Sequence, residues 1–325
     1  MKKKLKINFT DFYPGFNKTN NYFFNILNDE YLVTIDEFPD YLIYSCFGYD
    51  FLNYDCIKIF YSGENIFPDF NLCDYAIGFA HLNSADRYTR LPNFITFGTQ
   101  AIYDCIKNRE PLPKSKFCNF IYSNSNADPI RDEFYNLLSK YKHIDSGGKH
   151  LNNIHIPSTE KGWANDKIPF MKDYKFSIAF ENSSLPGYTT EKIIHAFMAG
   201  TIPIYWGNPK VSNDFNSNAF VNCHSFKNFR EVVDKVIQID QNDELYNEIV
   251  NQPIFLKEPE FMQEDYLINF FRNIINQPLE NCRRRTLFGY NSIYINNYRI
   301  NFSNQKPNRR LILSLKEKIK SFLTK

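Results

Sequence analysis

The stretch YKFSIAFENSSLPGYTTEKIIHAFMAGTIPIYW, residues 174–206, decides the architecture. Tyr174, Phe176, Ile178 and Phe180 alternate with smaller or polar residues, which is the two-residue period of a strand. A loop with Pro186 and Gly187 follows, then Thr190–Ala199 at helical spacing, with Gly200 to end it. Thr201–Trp206 reads as the next strand. Strand, helix and strand in succession predict parallel neighbours joined by a crossover, hence an α/β fold.

The same alternation continues outward. Candidate strands lie at Leu5–Phe9, Tyr31–Ile35, Tyr41–Ser45, Cys56–Tyr61, Tyr75–Phe79, Phe117–Tyr122 and Phe220–Cys223. Candidate helices are Asn21–Leu27, Pro129–Tyr141, Phe229–Ile239 and Asp243–Asn251. A chain of 325 residues exceeds one comfortable core and fits two α/β domains. The paired glycines of Asp145-Ser146-Gly147-Gly148-Lys149 read as a hinge, giving domains 1–145 and 146–280 and a C-terminal segment 281–325. In that segment Leu311, Ile312, Leu315, Ile319, Phe322 and Leu323 share one helical face while lysines fall elsewhere. Such a basic amphipathic helix over 309–325 suits either an anionic membrane surface or docking on the protein body.

Composition removes several classes. With 43% hydrophobic and 23% charged residues the chain is globular, and a net charge of +2 gives no footprint for nucleic acid. The 32 Phe and 22 Tyr supply core, and also rings on which the apolar face of a sugar can pack. Seven scattered cysteines, without a Cys-x-x-Cys, predict buried free thiols in a reducing compartment. No His-Glu-x-x-His or Asp-x-Asp is present, so no tightly held metal is expected. Leu5–Phe9 is too short for a signal-peptide core and no run of 18 apolar residues occurs; a cytoplasmic protein is the expectation.

Chemistry concentrates where strands meet helices. Tyr188, Glu191 and Lys192 stand at i, i+3 and i+4, so a shared face at the helix entrance is expected. Lys192 lies in a first turn, where a cation opposes the helix dipole and an anionic ligand would remove the penalty. Glu191 could accept hydrogen bonds from sugar hydroxyls. Asp128-Pro129-Ile130-Arg131 reads as an N-cap followed by a helix with a second cation, Arg131, in its first turn. Two such junctions suit a diphosphate neutralised from two sides, although a salt bridge to Asp128 or Glu133 is the other role open to Arg131. Glu64, beside Gly63 at a strand's carboxyl end, could take a proton from an attacking hydroxyl; Asp74 and Glu181 are rivals by residue type.

FENSSLPGYTTEKIIHAFMAGTIPIYWGNP (180–209) resembles the donor-binding signature of the α1,3-fucosyltransferase family, glycosyltransferase family 10, in its bacterial form. YSGENIFPDFNLCDYAIGF (61–79), SNADPIRDEFYNLLSKY (125–141) and FVNCHSFKNF (220–229) support it, and the similarity runs from about Leu5 to Asn251. The Pro186-Gly187 pair and Thr189 depart from the commonest wording of the loop. The resemblance implies a GT-B fold, two Rossmann-like domains facing each other across a cleft. It implies GDP-β-L-fucose as donor and inverting transfer to the 3-hydroxyl of N-acetylglucosamine in N-acetyllactosamine-type glycans, with a Lewis-x-like product. Glu64 matches the proposed base, and Arg131, Asn182, Tyr188, Glu191 and Lys192 match donor contacts. No cofactor is required, and Mn or Mg would act only as a stimulant. Another GDP-sugar, an α1,4 linkage, or a non-catalytic carbohydrate-binding protein are the alternatives.

Overall fold

The computed structural model describes residues 2–97, 102–104, 113–156 and 163–303, so the basic helix expected over 309–325 lies outside the described residues. The described residues form two compact units: those within 2–78, 83–89 and 267–303 make up the first, and those within 79–82 and 90–266 the second.

The first unit is built on β1 (Lys4–Thr10), α1 (Tyr22–Glu30), β2 (Leu32–Ile35), β3 (Tyr41–Tyr44), β4 (Ile57–Tyr61), β5 (Tyr75–Gly78) and β6 (Tyr88–Arg90). The strands form one sheet in the order β2-β1-β3-β4-β5-β6, with β1 to β5 paired in parallel. Strands covered on both faces are mostly apolar, and every residue of β3, β4 and β5 is buried, Lys58 of β4 included. Asn21 starts α1 by accepting the Phe24 amide on its side chain at 3.0 Å.

The second unit contains β7 (Lys116–Phe120), α2 (Ile130–Leu138), β8 (Ile144–Ser146), α3 (Trp163–Met171), β9 (Tyr174–Phe180), α4 (Glu191–Met198), β10 (Ile202–Trp206), β11 (Val221–Asn222), α5 (Phe229–Asp240) and α6 (Asp243–Val250). Its sheet, in the order β11-β10-β9-β7-β8, is parallel throughout. Phe120, Phe134, Phe176, Phe180, Ile204 and Val236 fill one of its cores. The chain then returns to the first unit as α7 (Tyr266–Ile275) and α8 (Tyr290–Ser303). Arg272 of α7 pairs with Glu30 of α1 at 2.6 Å, and Ile295 of α8 joins the core around Leu42 and Phe60.

The division therefore differs from the one expected at residues 145 and 280. β7 and β8 already belong to the second sheet, and residues 267–280 belong to the first unit. Gly147 and Gly148 follow β8 inside the second unit and form no boundary. A Cβ on Gly148 would sit 1.9 Å from the carbonyl oxygen of Tyr122, so the glycine marks a close approach of two backbones.

Both sheets share a reversal of strand order. β1 has β2 on one side and β3 on the other; β7 has β8 on one side and β9 on the other. Loops leaving the two neighbouring strands at such a point diverge, and the opening at their carboxyl ends is where open α/β sheets take ligands.

Candidate functional site

In the second unit the reversal lies between β7 and β9, and the loops leaving those strands carry Arg131 and residues 181–192. The ladder between the two strands runs through Asn119–Ser177. Beyond it the Tyr122 hydroxyl donates to the Ile178 carbonyl at 2.9 Å and accepts the Phe180 amide at 2.6 Å. The Asp128 amide donates to the Asn182 carbonyl at 2.9 Å, joining the two loops.

Arg131 is only 1% exposed, so the surface salt bridge is not its role. Its guanidinium lies 4.4 Å over the Tyr122 ring and donates through Nη2 to the Asn124 carbonyl at 2.7 Å. Asp128 instead accepts the Ile130 amide at 3.1 Å; it is not the expected N-cap, since α2 begins after Pro129, which holds that position without a side-chain cap bond. The nearest carboxylate, that of Asp132, is 3.6 Å from Arg131 Nε and accepts from His150 Nε2 at 2.8 Å. Nε and Nη1 of Arg131 have no hydrogen-bond partner among the described residues. Buried guanidinium donors without acceptors are costly, and an anion such as phosphate supplies charge-assisted acceptors for them.

The loop from Glu181 to Thr190 is held by buried polar groups. Gly187, at φ +91°, donates its amide to Asn208 Oδ1 at 2.7 Å, and a Cβ there would meet the Phe79 carbonyl oxygen at 2.5 Å. Asn208 Nδ2 donates to Thr189 Oγ1 at 3.1 Å, and the Tyr205 hydroxyl accepts the Asn208 amide at 3.0 Å. Tyr188 precedes α4 instead of lying within it, so the shared helical face expected for Tyr188, Glu191 and Lys192 does not form. Its ring is buried edge-on against Phe79 at 5.1 Å.

Glu181 is the residue whose role the sequence concealed. Its carboxylate is fully buried and accepts the Thr190 amide at 2.8 Å, the Thr190 hydroxyl at 2.7 Å and the Lys192 ammonium at 3.1 Å. Burial pushes the Glu181 carboxyl upward. Burial alone would lower Lys192, but the Glu181 and Glu191 carboxylates raise its ammonium above the usual lysine range. The charge that cancels Lys192 in the first turn of α4 is thus supplied by the chain itself. Burial would likewise raise Glu191, yet Lys192, Lys167 and His195 hold it at about 2. Lys167 of α3 entered no motif; a lysine on a helix with Pro169 inside it carries no sequence signal of its position. The N-cap residue Thr190 makes no side-chain cap bond to α4, and the start of a helix favours an anion.

Glu64 lies in the first unit, exposed, three residues past the end of β4. Ser62 sets the turn: its hydroxyl accepts the Glu64 amide at 3.0 Å and donates to the Glu64 carbonyl at 3.2 Å. Both rival bases are fully buried. Asp74 accepts the Lys58, Arg284 and Arg285 amides and Arg285 Nε at 2.9–3.1 Å, and Glu181 is engaged as described. Neither can take a substrate proton without abandoning these bonds, whereas Glu64 meets solvent. Among the described residues no group of three His, Cys, Asp or Glu side chains could hold a metal ion, and no helix is long and apolar enough to cross a membrane.

Two family models match: the N-terminal domain of alpha-(1,3)-fucosyltransferase FucT over residues 7–97, and the C-terminal part of glycosyltransferase family 10 (fucosyltransferase) over 111–252. The alpha-(1,3)-fucosyltransferase FucT of Helicobacter pylori is 34% identical over 268 residues, covering 70% of this chain and 55% of that protein. A putative fucosyltransferase of Acanthamoeba polyphaga mimivirus is 36% identical over 178 residues, covering 52% of this chain and 29% of its own length. The chain thus spans about half or less of the length of these curated relatives. A crystal structure of an alpha1,3-fucosyltransferase with GDP-fucose superposes at a TM-score of 0.72 with 29% identity, over 85% of this chain and 92% of that one; the fold is GT-B. Matched by family models in both its N-terminal and C-terminal parts, the chain belongs to glycosyltransferase family 10, the fucosyltransferases.

Proposed function

We propose that this protein transfers L-fucose from GDP-β-L-fucose to the 3-hydroxyl of N-acetylglucosamine in N-acetyllactosamine-type glycans, with inversion. One observation carries the donor half of the reading: the buried, unfilled donors of Arg131 beside the start of α4, at the strand reversal of the second sheet. A diphosphate supplies the missing acceptors. Its negative charge grows as the bond to fucose breaks, so Arg131, Lys192 and the α4 amides contribute most in the transition state. Glu191 and Asn182 serve the sugar and ribose hydroxyls, and Tyr188 shapes the floor of the loop. Glu64 removes the acceptor proton as the hydroxyl attacks the anomeric carbon, and GDP departs without an acid.

GDP release from GDP-fucose, with and without N-acetyllactosamine, tests the proposal, with product linkage read by NMR. Acceptor-dependent release and an α1,3-fucoside are expected. Glu64→Gln should retain GDP-fucose binding and lose about 10²–10⁴ in kcat. Near-normal turnover in that variant would remove Glu64 from the mechanism. Release from another GDP-sugar in preference to GDP-fucose would replace the donor.

A further inference from the structure

We infer that His150 is a positioning residue for the donor site: by holding the Asp132 carboxylate it keeps that group off Arg131 and leaves the guanidinium open to a nucleoside diphosphate. Arg131 and Asp132 are consecutive in the first turn of α2, so an acceptor for the arginine stands one residue away. Yet Asp132 stops 3.6 Å from Arg131 Nε, beyond hydrogen-bond reach, and Nε and Nη1 stay unfilled among the described residues. Both Asp132 oxygens turn instead to His150 Nε2, at 2.9 and 2.8 Å. A carboxylate only accepts, so Nε2 carries the proton and donates it to the pair.

The loop after β8 is built to hold the imidazole there. Leu151, the next residue, sits at φ +51°, a conformation a branched side chain adopts only when the surroundings impose it. Here they do. Asn152 Nδ2 donates to the Gly148 carbonyl and Asn153 Nδ2 to the Ile144 carbonyl, both at 2.8 Å, while Asn153 Oδ1 accepts the Ser146 amide at 2.6 Å. The His150 amide donates to the Tyr122 carbonyl at 2.9 Å, and its side chain is only 15% exposed. Tyr122 is also the residue whose ring carries the Arg131 guanidinium, so the restraint and the group it keeps open are mounted on one residue. Without the imidazole, Asp132 can swing onto Arg131 Nε. That closed pair satisfies the arginine internally and sets a negative charge where a phosphate must bind. Only the identity of the ligand rests on the donor reading proposed above; the restraint of Asp132 does not.

The test compares the full chain with His150→Ala, His150→Gln, Asp132→Asn and the double variant His150→Ala with Asp132→Asn. Titration calorimetry with GDP reads affinity, and ¹⁵N NMR without ligand reads the Arg131 Nε–H signal, identified by its loss in Arg131→Lys. His150→Ala should raise the Kd of GDP about tenfold, the worth of one charge-assisted bond that the ligand must now displace. His150→Gln keeps a donor and should match the parent. Asp132→Asn should bind GDP no more weakly than the parent, and the double variant should return to within about twofold of it. The Nε–H signal should move in His150→Ala and move back in the double variant. A His150→Ala protein that binds GDP like the parent, or a double variant as weak as His150→Ala, would overturn the inference while leaving the donor reading intact. A parent that binds neither GDP nor GDP-fucose, yet shows the shift of the Nε–H signal and its reversal, would keep the restraint and sink the donor reading.

Discussion

Lys192→Met isolates the buried charge pair in the second unit. Among the described residues it removes the one ammonium bonded to Glu181 and leaves a fully buried carboxylate held by Thr190. Such a group escapes its desolvation by taking a proton, so the cost is bounded by protonation. With an unfolded-state value of about 4.3 and about 1.36 kcal/mol per unit, the bound is about 5 kcal/mol at pH 8 and about 1 kcal/mol at pH 5. Breaking a buried pair ordinarily costs about 3–5 kcal/mol, within the same range. The sign follows from linkage: a carboxyl raised in the folded state binds more protons folded than unfolded, so the variant loses stability relative to the parent as pH rises. Urea unfolding followed by tryptophan fluorescence measures it. Trp163 and Trp206 both fall within the second unit, so the signal follows that unit alone. Glu181→Gln combined with Lys192→Met should abolish the pH dependence and cost less at pH 8 than Lys192→Met alone. A loss below about 1 kcal/mol at pH 8, or an equal loss at both pH values, would refute the buried pair.

Two further substitutions test the surrounding structure. Burial, reinforced by Lys167, holds His195 at about 4, below the ordinary value near 6.5. Its contribution is therefore complete above about 6.5 and lost as pH falls towards 4, about 2 kcal/mol by pH 5, and urea midpoints of His195→Gln at pH 7.5 and 5 should show a flatter slope than the parent. Gly148→Ala should destabilise the second unit by more than Gly147→Ala, by about 2 kcal/mol in thermal unfolding, because the first meets the Tyr122 backbone and the second only the movable end of Ile156. Equal effects would show that Tyr122 and residue 148 can separate freely.

Alternation made the fold legible. Tyr174–Phe180 is a strand to the residue, and most of the other expected strands and helices end within one or two residues of their observed limits. β8 was not legible: its three residues, Ile144, Asp145 and Ser146, are too few to show a period, and the glycines after them imitated a hinge. Nor could the return of the chain be read. α7 shows what it buries, through Leu267, Phe271 and Ile274, but not which unit receives it. At the site, residue types and spacing found Arg131 and Lys192 because a cation in a first turn is locally out of place. Glu181 looked like one acid among several, since its meaning depends on burial and on partners nine and eleven residues away.

The Tyr122 hydroxyl stands between β7 and β9 in place of a rung of backbone ladder, satisfying a carbonyl and an amide that the separating strands leave behind. A phenol ring is incompressible and has few internal rotations, so it acts as a spacer of fixed width. The opening at the reversal is thereby set before any ligand arrives, and the guanidinium resting on the ring is immobilised with it. Ordering of these groups, which would otherwise oppose association, is already complete in the folded chain, so most of the contact energy of the proposed diphosphate ligand would appear as affinity.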